Sequence, residues 1–247
     1  MTKTVDVRCI EAILFDMNGT LRVREHHSQT QQAALGKLQQ LLGKPDATDA
    51  YWEELGRRQK AYSLWAQEHL TQLSEAQIWA RWMTPDLPPQ QIEPIASELM
   101  LAWGERKGWT IPKPGAGETL LALRQRGYRL GLISNSMSTL DIPRSLDAFG
   151  WKEHFEAVVL SSEIKIRKPA PELFLEACRR MEVPPAHCAY LGNRISRDMA
   201  GCKRAGFALG MILEPVDGPR SEEAGQPEKP DIVIHALTEL LDIFPTR

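Results

Sequence analysis

The sequence predicts an α/β fold: a mostly parallel sheet with helices on both faces, plus an inserted α-helical segment. Three observations predict it. Short apolar runs bounded by polar or turn residues recur at 12–15, 129–133, 157–160, 188–191, 208–213 and 231–234. Helix-period segments at 117–126, 171–181 and 199–205 lie between several of them, and strands that alternate with helices in this way form parallel sheets. Residues 22–112 break that alternation with helical patterns alone.

In chain order, the first run is Ala12-Ile-Leu-Phe15, and Asp16-Met-Asn-Gly-Thr20 follows it directly. The inserted segment predicts helices over 28–42 (stopped by Gly43), 48–70, 74–83 and 89–107. Ser74 and Gln77 have capping-box spacing, and Pro85, Pro88 and Pro89 separate the last two helices. Trp52, Trp65, Trp79, Trp82, Trp103 and Trp109 all lie here, which predicts a small bundle with its own core. The competing reading places one or two of these aromatics on a substrate pocket. A Pro/Gly-rich stretch at 111–117 reads as the return hinge, so the core is expected to comprise 1–21 and 113–247, with 22–112 inserted. Residues 214–230, polar and rich in Pro and Gly, read as a surface loop.

Composition narrows the function. With 247 residues, 43% hydrophobic and 25% charged, the chain is that of an ordinary globular protein. A net charge of −2 supplies no global field toward nucleic acid or a membrane surface. No apolar run approaches the ~20 residues of a spanning helix, and the first residues lack the apolar segment of a signal peptide. Cys9, Cys178, Cys188 and Cys202 form no Cys-x-x-Cys pair, which suits a cytoplasmic thiol protein. His26, His27, His69, His154, His187 and His235 show no metal-ligand spacing.

Parallel sheets place ligands beyond the carboxyl ends of their strands, so the polar residues after each run come first. Asp16 follows the first run, with Asn18, Gly19 and Thr20 in the turn. Ser134, Asn135 and Ser136 follow the second. Lys168 stands in Arg167-Lys-Pro-Ala-Pro171, just before a helix. The fourth group is Gly192-Asn-Arg-Ile-Ser-Arg-Asp198. A carboxylate nucleophile, hydroxyl and amide donors, a cation and a further acid suit transfer of a phosphoryl group or another electrophile. Each also has a plainer reading. Asp16, Ser134 and Asn135 could cap turns, Lys168 could be a solvated helix-start charge, and Asp198 could cap the next helix. Arg22, Arg24, Arg194 and Arg197, close to these groups in sequence, read as solvated charges or as contacts to an anion.

These four motifs, in this order and with a helical insert after the first, resemble the haloacid dehalogenase-like (HAD) hydrolase superfamily across about residues 10–240. The resemblance implies a Rossmann-like core with a helical cap, and most often a magnesium-dependent phosphatase acting on a small anionic metabolite. It makes Asp16 the nucleophile that forms an aspartyl-phosphate. Ser134 and Asn135, with Thr20, would bind phosphoryl oxygens, and Lys168 would neutralise charge. Mg²⁺ would lie on Asp16, the main-chain carbonyl of Asn18, Asn193 and Asp198.

Two positions depart from the family pattern. Asn18 stands where the general acid/base Asp is usual, and Asn193 where a metal-binding Asp is usual. An amide cannot donate and recover a titrating proton, and hard Mg²⁺ favours carboxylate oxygen. Three expectations follow: a phosphatase with altered proton chemistry, a 2-haloacid dehalogenase (halide leaves without a proton), or a binding protein without turnover. Substrate identity and oligomeric state are not legible in the sequence.

Overall fold

The computed structural model describes residues 6–215 and 228–247. Most of the loop expected at 214–230, and the N-terminal residues 1–5, lie outside the described residues. The chain opens with strand β1 (Ala12–Phe15), as predicted. It then enters the insert through β2 (Arg22–Glu25). Helices α1 (Ser28–Leu42), α2 (Asp49–Glu68), α3 (Glu75–Ile78), α4 (Pro89–Ile92) and α5 (Ala96–Glu105) follow, and β3 (Trp109–Pro112) leads out. The rest comprises α6 (Ala116–Gln125), β4 (Arg129–Ser134), α7 (Asp141–Ala148), β5 (Ala157–Leu160) and α8 (Ser161–Ile164). Then come α9 (Pro171–Met181), β6 (Cys188–Gly192), α10 (Ala200–Arg204), β7 (Leu209–Leu213), β8 (Ile232–Ile234) and α11 (Leu240–Ile243).

Six strands form one sheet in the order β5-β4-β1-β6-β7-β8, every pair parallel. The alternation of β1 shows why its residues are all apolar. Ile13 and Phe15 pack into the core on one face, and Ala12 and Leu14 into the core on the other. The chain builds outward from β1 to β5, then returns to add β6 on the opposite side. That reversal opens a crevice beyond the ends of β1, β4 and β6.

The insert stays out of the six-stranded sheet. Its helices bury a separate apolar cluster that includes Trp52, Trp79, Trp103 and Tyr62. Helix α1 ends at Gly43 in the left-handed conformation, and the Ser74–Gln77 capping box is formed. One difference from expectation is structural. Both ends of the segment 22–112 form an antiparallel ribbon, β2 with β3, where no strand was expected. Trp109 therefore sits on this ribbon, 46% exposed and stacked on His27 at 4.2 Å, and takes no part in the bundle core. The insert also touches the main unit through Glu75, whose Oε1 accepts from the Thr139 main-chain N–H at 2.8 Å. Gln72 and Arg167 complete the contact, with main-chain bonds Gln72 N–H to Lys165 O (2.9 Å) and Arg167 N–H to Leu70 O (3.0 Å). Among the described residues, no helix is long and apolar enough to cross a membrane.

Candidate active site

Asp16 is the residue after the end of central β1, and only 3% of its surface is exposed. Its main-chain N–H donates to Leu191 O at 2.9 Å, which continues the ladder to β6 and fixes the side chain over the crevice. Oδ1 accepts from Lys168 Nζ at 2.7 Å and from Ser134 Oγ at 3.2 Å. Among the described residues, Oδ2 has only the Thr20 hydroxyl, at 3.5 Å. One oxygen is thus held by a cation and a hydroxyl, and the other keeps its lone pairs. The turn beyond it is tight: Thr20, Leu21 and Arg22 all donate main-chain N–H to Met17 O, and Gly19 takes φ +83°.

Lys168 is 1% exposed and lies at the centre of the site. Its ammonium donates to Asp16 Oδ1 and to Asp198 Oδ1, each at 2.7 Å. Tyr190 Oη at 2.9 Å and Ile133 O at 3.2 Å are further acceptors. A buried lysine with two carboxylates and two neutral acceptors has its desolvation met by the protein. Asn135 holds this lysine in place through its main chain: Lys168 N–H donates to Asn135 Oδ1 at 2.8 Å, and Asn135 Nδ2 donates to Lys168 O at 3.1 Å. The amide expected on a phosphoryl oxygen thus has both its atoms on the loop that carries the cation.

Asp198 is fully buried. Oδ2 accepts the main-chain N–H groups of Asn193 and Arg194, both at 3.0 Å. Oδ1 faces Lys168, with the Tyr190 hydroxyl at 3.4 Å. Burial alone would push this carboxyl up, but Lys168, Arg197 and the hydrogen bonds together hold it below its ordinary range. Gly192 makes the packing possible, since a Cβ there would meet Asp198 at 2.4 Å. Asp198 is therefore the second counter-ion of Lys168 and the cap of the loop after β6. Burial, then the charges of Asp198 and Asp16, keep the Tyr190 hydroxyl far above its ordinary value, so it remains a neutral donor.

Asn18 faces a different partner. Its Oδ1 accepts from Arg22 Nε at 2.9 Å. Arg22 is 1% exposed, with Nη1 on Asp141 O at 3.2 Å and further bonds to Ser145 Oγ and Asp141 Oδ2. Burial lowers the Arg22 pKa, and Asp141 opposes that. Arg22 and Arg24 share the Asp141 carboxylate, and Asn18 completes this group without the negative charge that an acid would add beside Asp16. Sequence reasoning named Arg22 only as a neighbour of the motif and missed both Asp141 and Tyr190. For Tyr190 a signal existed: a single hydroxyl inside the apolar run Cys188-Ala-Tyr-Leu191.

The fit of a divalent metal rests on which oxygens are left. Asn193 Oδ1 is buried and has no hydrogen-bond partner, and Asp16 Oδ2 is nearly free. Among the described residues, no cluster of three or more His, Cys, Asp or Glu could hold a metal ion. With the Asn18 carbonyl, the available set is one carboxylate and two neutral oxygens. Mg²⁺, which keeps several waters and needs only one or two carboxylates, fits such a set, and loosely. Asn193→Asp supplies a second carboxylate at the orphaned position. The expected outcome is Mg²⁺ binding tighter by about tenfold in a calorimetric titration. Unchanged affinity would mean that the Asn193 side chain takes no part in holding the metal.

A family model for haloacid dehalogenase-like hydrolases matches residues 10–206. The glyceraldehyde 3-phosphate phosphatase of Methanopyrus kandleri is 28% identical over 240 residues, covering 95% of this chain and 97% of that protein. Among solved structures, a 2-haloacid dehalogenase from Pseudomonas syringae superposes with a TM-score of 0.69 at 20% identity, covering 95% of this chain and 97% of the other. A HAD phosphatase from Thermococcus onnurineus gives a TM-score of 0.59 at 21% identity, covering 96% and 99%. Those two likenesses show the shared fold. A buried Asp–Lys–Asp group on the switch point of a parallel sheet, with the family match spanning all four motifs, places the chain among the haloacid dehalogenase-like hydrolases.

Proposed function

We propose that the protein hydrolyses phosphate monoesters of small metabolites through an aspartyl-phosphate on Asp16. One observation carries this reading: Asp16 Oδ1 is fixed by Lys168 and Ser134 while Oδ2 stays open at the crevice. The phosphatase name of the Methanopyrus kandleri relative supports the substrate class. Asp16 Oδ2 forms a bond to phosphorus as the ester P–O bond breaks and the leaving oxygen takes the electron pair. Water then attacks the aspartyl-phosphate, releasing inorganic phosphate and restoring the carboxylate. Lys168 and Ser134 orient the attacking group and balance charge as it develops, in a site nearly closed to water. Asp198 and Tyr190 position Lys168. Mg²⁺, held by Asp16, the Asn18 carbonyl and Asn193, would neutralise phosphoryl oxygens when bound.

The proton is the distinctive point. Asn18 cannot protonate a leaving alkoxide, so esters of acidic phenols are favoured over sugar phosphates. Asn18→Asp would place a carboxylate against the Arg22 guanidinium, which holds it ionised throughout the neutral range. An ionised group serves as base toward water better than as acid toward the leaving group. The expected outcome is a dephosphorylation step faster by about 10²-fold, with a smaller gain for the first step on alkyl esters. Rapid-quench kinetics separates the two, with the mass of the wild-type protein checked because Asn18-Gly19 can deamidate. Equal gains in both steps would show that Arg22 does not control the new acid.

A second reading is 2-haloacid hydrolysis, with Asp16 displacing halide from carbon. Asn18 favours it, since halide leaves unprotonated. A panel of phosphate monoesters and 2-haloacids, with and without Mg²⁺, tests both. Turnover of aryl phosphates but not haloacids supports the phosphatase, the reverse supports the dehalogenase, and turnover of neither removes the catalytic reading.

A further inference from the structure

A cavity of about 200 Å³ lies between the helical insert and the sheet, and Lys107 on its wall has no ion-pair partner among the described residues. Asn18 and Asn135 line it on the sheet side, and Gln59, Trp103, Lys107 and Arg24 elsewhere. Asn18 is two residues from Asp16, and Asn135 follows Ser134, so the cavity is walled in part by the two segments that carry Asp16 and its partner Ser134. Arg24 is already committed: Nη1 donates to Gly108 O at 3.0 Å and Nη2 to Asp141 Oδ1 at 3.2 Å. Asp141 is the only carboxylate on the wall among the described residues, and its other oxygen is held by Arg22.

Lys107 is different. Its ammonium has no hydrogen-bond or ion-pair partner among the described residues. The plain role for a lysine after α5 is to meet the free carbonyls of the helix end, but no carbonyl accepts from its side chain. Lys107 is exposed to solvent on the cavity wall, and the two charges acting on it, Arg106 and Arg24, are both positive. An anion entering this concave space would gain attraction and relieve that repulsion together.

We infer that Lys107, beside Arg24, forms a second anion subsite, so that the substrate carries a further anionic group, a carboxylate or second phosphate, at the end remote from the phosphoryl group being transferred. This assignment rests on Asp16 marking the phosphoryl end, as proposed above. Gln59 supplies a neutral polar group on the same wall, and Trp103 an apolar one.

The test uses phosphonates, whose carbon–phosphorus bond the proposed chemistry does not cleave. Methylphosphonate, phosphonoacetate and 3-phosphonopropionate are titrated calorimetrically into the full chain at fixed Mg²⁺, for wild type, Lys107→Ala and Lys107→Arg. In wild type, at least one carboxylated probe is expected to bind about tenfold more tightly than methylphosphonate. Lys107→Ala should bring that ratio close to one, and Lys107→Arg should keep most of it. A wild-type ratio near one, a ratio that survives Lys107→Ala, or no binding of any probe would overturn the subsite. The two proposals fail separately. A Lys107-dependent ratio without hydrolysis of any ester removes the phosphatase and leaves the subsite, and ester hydrolysis with a ratio near one does the reverse.

Discussion

Asp16→Asn is expected to reduce turnover by about four to six orders of magnitude, since a lost covalent nucleophile leaves only binding and charge stabilisation. The fold should survive. The asparagine Oδ1 can still accept from Lys168 and Ser134, and Lys168 keeps Asp198 at 2.7 Å. Circular dichroism and urea unfolding should therefore match wild type closely while single-turnover rates collapse. Turnover within about tenfold of wild type would remove covalent catalysis by Asp16 altogether.

The second large effect is expected from Lys168→Met, which removes the cation shared by Asp16 and Asp198. Loss of one preorganised charge donor should lower kcat/KM by about 10²–10³-fold or more. Breaking a buried ion pair from one side should also cost about 3–5 kcal/mol of stability. The sign of the pH dependence distinguishes this from simple loss of packing. In wild type the Asp198 carboxyl is held below its ordinary value, so its stabilising contribution is present at neutral pH. That contribution is lost as pH falls through the folded value. In the variant Asp198 keeps its burial and loses its nearest cation, which raises its pKa above the unfolded value. Its unfavourable charge then grows as pH rises, so the variant should become more stable on acidification from neutral pH, opposite to this group's effect in wild type. Urea unfolding at several pH values reads the difference directly.

How far the sequence carried the structure follows from where each element's partners lie. Strand β1 was legible because both faces are buried, which leaves an uninterrupted apolar run, Ala12-Ile-Leu-Phe15. Helix α9 was legible from Pro171 to Met181, with Pro at its first turn. The β2–β3 ribbon was not. Arg22-Val-Arg-Glu25 and Trp109-Thr-Ile-Pro112 are short, mixed in polarity and paired only to each other across the whole insert. Helix α7 was hidden by Pro143, which a first turn tolerates but which reads as a breaker in sequence.

The same logic divides the site. Asp16, Ser134 and Lys168 stood out as polar residues at strand ends or a helix start, and the structure brings the three together. Asp198 stood out as an acid, but its four contacts, which make it the counter-ion of Lys168, depend on the folded loop after β6. The Asn18–Arg22–Asp141 group was invisible because Arg22 and Asp141 meet only through the ribbon and α7, both absent from the sequence reading.

Trapping the intermediate tests the central claim most directly. The wild-type protein, mixed with an aryl phosphate and quenched in acid within milliseconds, is digested and weighed by mass spectrometry. A phosphoryl group should appear on the peptide that contains Asp16, and Asn18 should prolong its life by leaving the attacking water without a strong base. The label should be absent from Asp16→Asn. Steady hydrolysis with no label on that peptide, or a label on another residue, would contradict the account.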